Sequence, residues 1–180
     1  LKNIVKVSKP FDAVILKSIW GYYIDYRKFL AQISILKKKK IKLVNDYNFI
    51  RWNINKYKYL NEIKNANVIP TNSLQIKRAR TVLDIKNAIS KASKTFNTDI
   101  LVIKPSISAS GYLTYVYNPN KKNDTIIHSL KINKHLDFII QPYRSSIAKG
   151  EISVILINGN PIYGVTRFPG VLGKKRDTIY

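Results

Sequence analysis

The segment Leu101-Val102-Ile103-Lys104-Pro105-Ser106-Ile107-Ser108-Ala109-Ser110-Gly111 puts a lysine at the exit of a short hydrophobic run, followed by small hydroxyl residues and a glycine. A strand holds such an ammonium group rigidly. The loop after it offers backbone N–H groups and hydroxyls that can wrap an anion. A point charge beneath a mobile, donor-rich cover suits a triphosphate. The loop is not a P-loop, because the GK[ST] sequence is absent. On pattern alone, a lysine before a polar turn is more often an exposed strand end.

Other chemistries are excluded by composition. The chain of 180 residues has no cysteine, which removes disulfides, thiolate catalysis and cysteine-held metals. Only His128 and His135 carry imidazole, so a multi-histidine metal site is out as well. Both histidines are expected to be surface or partly buried structural residues. With 45% hydrophobic residues the chain can build a core, and no run approaches the length that spans a bilayer. Lys and Arg total 32 against 10 Asp and Glu, a net charge of +22, which raises nucleic acid or an anionic membrane as partner. The lysines are spread along the chain, and only Lys37 to Lys40 form a compact run. Together with the abundance of Asn, Ile and Tyr, this reads as compositional drift, and nucleic-acid binding is set aside. The absence of an initial methionine points to a natural start upstream or to trimming.

The elements that must position these groups follow from periodicity. Residues 11–16 read as a largely buried strand, the residues after the cap Asp25 as a helix with Phe29, Leu30, Ile33 and Leu36 on one face that the Lys37–Lys40 run closes, and residues 41–44 as a second strand. That order favours an α/β arrangement with a parallel sheet. Residues 47–65 read as one helix, with Trp52 packing it against the N-terminal sheet. A new unit opens at Pro70-Thr71, extended over 72–76 and helical over 81–92. Strands are expected at 101–103, 112–117 and 138–140. An Asn/Lys turn fills the connection between the last two. Residues 152–157 and 161–166 flank Asn158-Gly159, a strong hairpin signal.

Taken in order, the motifs resemble the glutathione-synthetase-like branch of the ATP-grasp superfamily, especially the ligases of the cycloserine-biosynthesis type. The family's strand ending in Lys-Pro and its Ser/Gly-rich phosphate loop are matched by Lys104-Pro105 and by Ser106, Ser108, Ser110 and Gly111. An earlier Asn-x-x-Lys on one helical face is matched by Asn53 and Lys56. The adenine hinge is matched by Phe138-Ile139-Ile140-Gln141-Pro142-Tyr143, the ribose-binding acid by Gly150-Glu151, and the late arginine by Arg167. Leu16-Lys17-Ser18-Ile19-Trp20-Gly21-Tyr22 is similar to a strand end of the family's N-terminal domain, with Lys17 where an arginine is usual.

The resemblance implies a division of labour. Lys56 and Lys104 would contact ATP phosphates from two sides, and Arg167 would reach the transferring phosphoryl group with a bidentate fork. Gln141, Pro142 and Tyr143 would meet the adenine edge, with Leu101, Ile103 and Ile140 sandwiching the ring. Glu151 would accept the ribose hydroxyls. The implied fold is α/β and ATP-grasp-like: residues 1–69 a partial N-terminal domain, 70–140 the small nucleotide-binding lobe, and 141–180 the hinge and first hairpin of a truncated large lobe. The lysine strand and residues 112–117 would be neighbours in one antiparallel sheet. The implied activity is a cytoplasmic ATP-dependent carboxylate–amine ligase acting on small molecules. Its magnesium is expected for a complete enzyme but not from this chain, which after Arg167 has one acid, Asp177, with no Glu or Asn. The basic Leu172-Gly173-Lys174-Lys175-Arg176 is unlike the family's acidic segment. A fragment, a frameshifted or degenerate remnant and a shortened binding protein remain as explanations, and a homodimer could complete the site. No residue specifies the acid or the amine.

Overall fold

A computed structural model of the chain describes residues 6, 8, 10–17, 19–63, 73–77 and 81–168. Expectations placed on Ser18, Asn65, residues 70–72, Pro169, residues 172–176 and Asp177 lie outside them. The chain divides into two compact units after Pro142.

In the first unit, helix α1 (Tyr26–Lys38) starts where Asp25 accepts a hydrogen bond from the Lys28 amide at 3.1 Å. It buries Phe29, Ile33 and Leu36, while Leu30 is half-buried. Lys37 and Lys38 occupy its last turn, where the helix dipole favours positive charge. The two strands expected on either side of α1 amount to a single parallel bridge, Val14 to Leu43. Phe11, Ile15 and Val44 are exposed, so these segments lack the two-sided cover that sustains a parallel ladder.

Residues 47–65 do not make one helix. Helix α2 (Tyr47–Asn53) and helix α3 (Lys56–Glu62) are separated by Ile54-Asn55. Asn55 is extended, with φ −100° and ψ 100°, and its side-chain oxygen accepts from the Lys58 amide at 3.1 Å. Asparagine here competes with the helical backbone and becomes a cap. Trp52 serves the joint between these helices rather than a sheet. Its ring lies 5.7 Å from Phe49 and 5.8 Å from Tyr59, and its indole N–H donates to Glu62.

The main sheet contains β1 (Leu74–Ile76), β2 (Leu101–Pro105), β3 (Tyr115–Tyr117) and β4 (Phe138–Pro142) in the order β1-β4-β2-β3. Every neighbouring pair is antiparallel. Helix α4 (Val82–Phe96) and helix α5 (Asp124–Ile132) complete this part of the unit. Thr81 and Asp84 form a reciprocal capping box at the start of α4. Ile85, Ile89 and Ala92 of α4 and Ile126 and Leu130 of α5 share one core with Ile76, Leu101, Ile103, Phe138 and Ile140. Leu101, Ile103 and Ile140 are fully buried there.

The expected antiparallel pairing of the lysine strand with the next strand is present, but β3 is short. Residues 112–114 continue the loop through turn bonds from Tyr112 N–H to Ala109 O at 3.0 Å and Thr114 N–H to Gly111 O at 3.1 Å. Helix α5 stands where only a turn was expected. Its cap residue, Asn123, donates to the carbonyls of Asn118 and Lys121 at 2.8 and 2.7 Å, so it tightens the preceding turn instead of capping α5 through its side chain.

The second unit is a short 3-10 turn, Ser145–Lys149, followed by β5 (Glu151–Ile157) and β6 (Asn160–Arg167). Asn158 and Gly159 have φ of 50° and 81°, the paired positive values of a type I′ hairpin turn.

Candidate functional site

Strand β2 sorts its side chains by alternation. Leu101, Ile103 and Pro105 are buried, and Val102 and Lys104 point to the opposite face, half-buried. Lys104 lies opposite Ile139 and Val102 opposite Gln141 across the β2–β4 ladder. The face carrying Lys104 is therefore lined by Val102, Ile139 and Gln141. This corrects the expected adenine sandwich: Leu101, Ile103 and Ile140 belong to the other face and fill the core with α4 and α5.

The loop after β2 is anchored over its first half. Ser106 donates its amide to the Asp137 carbonyl and accepts from the Lys56 amide at its own carbonyl, both at 2.8 Å. Ser108 donates its hydroxyl to the Pro105 carbonyl at 3.1 Å. Ser106 and Ser108 are buried, and the Ser106 hydroxyl has no partner among the described residues. At the tip, Ser110 and Gly111 are exposed with φ of 52° and 70°. The backbone of the stem and the Ser108 hydroxyl are thus bonded within the fold, while the buried Ser106 hydroxyl is left without a partner among the described residues.

Lys56 is the first residue of α3, and the break at Asn55 points it to this stem. Its ammonium donates to the Ser108 carbonyl and to the Ser108 hydroxyl, the latter at 3.2 Å. Burial first, and the Lys104 cation second, push the Lys56 ammonium down to about 8. The two lysines therefore sense each other's charge, as side chains sharing one anion site would. Asn53 ends one helix and Lys56 begins another, so the Asn-x-x-Lys match does not lie on one helical face.

Gln141 is buried and donates its side-chain amide to the Ser73 hydroxyl at 2.8 Å, tying β4 to the start of β1. Its side chain is thus committed to the fold. Pro142 lies opposite Leu101, and Tyr143 is half-buried beyond the strand. Ser73 is a supporting residue that sequence reasoning missed. A lone serine before a short strand gives no signal of a bond to a residue so distant in sequence.

In the second unit, Glu151 and Arg167 are cross-strand partners at the open end of the β5–β6 hairpin. Both are exposed. Gly150 precedes them with φ of 103°, and a Cβ there would meet Thr166 Cγ2 at 2.9 Å and the Arg167 carbonyl at 3.3 Å. Glycine is what lets the chain close upon this carboxylate and guanidinium.

Among the described residues no three His, Cys, Asp or Glu side chains gather as metal ligands. Lys56 and Lys104 are close enough for the second cation to lower the pKa of the first, beside a loop of small residues. A cavity of about 630 Å³ elsewhere, lined by Lys86, Ser93, Lys94, Asp99, Lys122 and Asp124 among others, includes none of these residues. No helix among the described residues is long and apolar enough to cross a membrane.

A sequence model of the family described as prokaryotic glutathione synthetase, ATP-grasp domain, matches residues 69–177. No curated protein matches the chain. Among solved structures it is similar to a D-cycloserine synthetase, with 18% identity, a TM-score of 0.74, and coverage of 88% of this chain and 52% of that one. It is similar to D-alanine–D-alanine ligase from Helicobacter pylori at 14% identity and a TM-score of 0.52, covering 81% of this chain and 44% of the other. The N5-carboxyaminoimidazole synthetase of Staphylococcus aureus, complexed with ADP, shares 14% identity at a TM-score of 0.56, with 99% and 41% covered. This chain therefore spans about half the length of these proteins or less, and the likeness is one of fold.

Proposed function

The chain belongs to the ATP-grasp domain family of prokaryotic glutathione synthetases, and on that premise we propose that it is the nucleotide-binding portion of a carboxylate–amine ligase. The observation that carries this reading is the family match over residues 69–177, which takes in Lys104 and the Ser106–Ser108 loop stem to which Lys56 donates. Lys56 and Lys104 hold the phosphates of ATP, with Ser106, Ser108, Ser110 and Gly111 forming the loop beside them. Gln141, Pro142 and Tyr143 supply backbone groups to the adenine. Glu151 takes the ribose hydroxyls. Arg167 steadies the transferring phosphoryl group. In this reading residues 1–69, 70–140 and 141–180 are the N-terminal part, the small lobe and the start of the large lobe.

The corresponding reaction has two steps. A substrate carboxylate oxygen attacks the γ-phosphorus and ADP leaves, giving an acyl phosphate. An amine nitrogen then attacks the acyl carbon, phosphate departs with the bonding electrons and takes up the proton the nitrogen loses, and an amide remains. The chain's own lysines neutralise phosphate charge where water is partly excluded, which strengthens the attraction.

A second reading, a nucleotide-binding protein without turnover, is favoured by the lack of gathered acids among the described residues. Losing one well-placed donor to developing charge costs about 2.7–4 kcal/mol, and losing a metal cradle costs at least as much. Calorimetry with ATP and with inorganic triphosphate tests binding. Tighter binding of ATP supports nucleotide recognition, and equal affinity reduces the site to non-specific charge. ADP release with a panel of amino acids then separates the two readings: amine-dependent turnover abolished by Lys104→Ala identifies the ligase.

A further inference from the structure

We propose that the hairpin of the second unit is a self-association element: two copies of this chain pair their β5 strands antiparallel about Val154, making one four-stranded sheet in the order β6-β5-β5-β6. The inference concerns the hairpin alone and does not rest on the nucleotide reading.

Among the described residues the hairpin is a sheet of two strands, and two strands alone are at best marginally stable in water. Directly paired residues share a face, so Ile152 and Val154 lie on one side and Ile155, Tyr163 and Val165 on the other. Ile152 is 74% exposed, Val154 52% and Tyr163 57%, so neither side is covered by described residues.

Each strand also has one free edge, and the two edges differ. On β6, Pro161 lacks an amide proton. The register there steps from Tyr163 to Pro161 while β5 passes from Ile155 to Leu156, which leaves Ile162 as an extra residue. Prolines and bulges blunt an edge. Strand β5 has neither, and it carries no lysine or glycine; five of its seven residues are Ile, Val or Leu. Such a segment, apolar, proline-free and near zero charge, pairs readily with its own kind.

Charge selects a second copy as the occupant. Residues 151–167 contain Glu151, Arg167 and no other charged residue, in a chain of net charge +22. Two copies repel wherever their lysines approach, and the neutral hairpin lets them meet without that. Centred on Val154, the antiparallel register sets Ile152 of each copy against Leu156 of the other and Ser153 against Ile155. Glu151 meets Ile157, so no like charges are opposed. The two-fold pairing also closes the assembly, since only the blunted β6 edges remain outside.

The test is sedimentation of the full chain against salt. A mass of two chains should appear, and the dimer should tighten on the order of tenfold between about 0.1 and 1 M salt, as the screening length falls from about 10 to 3 Å. Val154→Lys sets two cations against each other at the dyad and should give a monomer. Ile162→Lys adds the same charge to the blunted strand and should leave the dimer. Hydrogen exchange on the unaltered chain keeps the test decisive if the first variant fails to fold: amides of residues 151–157 should slow as protein concentration rises, while those of β2 stay constant. A monomer at every salt concentration, a dimer that survives Val154→Lys, or β5 exchange independent of concentration overturns the proposal. Dissociation by both variants also overturns it, because that assigns the contact to the apolar faces instead of the β5 edge.

Discussion

Lys56 carries the sharpest consequences of any single side chain. Its proton is released at about 8 in the folded chain and at the ordinary 10.5 when unfolded. Between those values the unfolded state binds more protons, so the Lys56 contribution makes stability rise with pH across that window. ATP affinity should move the other way, weakening as pH rises through about 8 while Lys56 loses its charge. Lys56→Arg should flatten the affinity profile, since arginine stays charged, and Lys56→Met should remove the stability slope; calorimetry and urea titrations across pH check both. Ser73 makes a quieter case. Ser73→Ala leaves the buried Gln141 amide without its partner and should cost about 1–3 kcal/mol in a urea melt. The strand ending in Lys104-Pro105 could be read from sequence, because an apolar run stopped by a proline and small residues is a local pattern; pattern alone gave its lysine no role. The bond between Gln141 and Ser73 was illegible, because nothing local to either residue encodes it.

At the scale of elements, caps decide where functional side chains point. Asn55→Ala removes the acceptor for the Lys58 amide and should cost about 0.5–2 kcal/mol. Faster hydrogen exchange at the Lys56 amide, now held by Ser106, is the accompanying sign. Gly150→Ala should cost more, since it combines a φ of 103° with a Cβ 2.9 Å from Thr166 Cγ2. Thr166→Ser removes that methyl and should rescue only part of the loss, which a thermal melt of the single and double variants can resolve. The same features explain what sequence pattern conveyed. Asn158-Gly159 marked the hairpin because both residues adopt the positive φ their types favour. Asn55 looked like a poor helix residue inside one long helix, whereas it is the cap between two. Helix α5 went unread because Asn123 spends its side chain on the turn before it. Leu101, Ile103 and Ile140 were recognised as strand residues, but which face of a strand meets the helices is set by packing partners elsewhere in the chain.

For the whole molecule, the strand order β1-β4-β2-β3 makes β4 the central partner of both β1 and β2. A chain ending at Asp137 should keep helical circular dichroism but lose slow amide exchange in β1 and β2, and exchange mass spectrometry checks this. The order also sets a timetable during synthesis. Leu74 pairs with Ile140, and at about 5–20 residues per second a ribosome needs roughly 3–13 s to travel between them. Throughout that interval β1 has emerged without its partner. Its three residues and the adjoining Lys77 make it a poor template for foreign strands, since a short, charged edge resists pairing. Strand β2 is longer and more apolar, but it emerges closer to β4 and meets β3 first. Of these two strands, the longer and more apolar is thus left waiting for the shorter time, and the long wait falls to the one less able to misuse it.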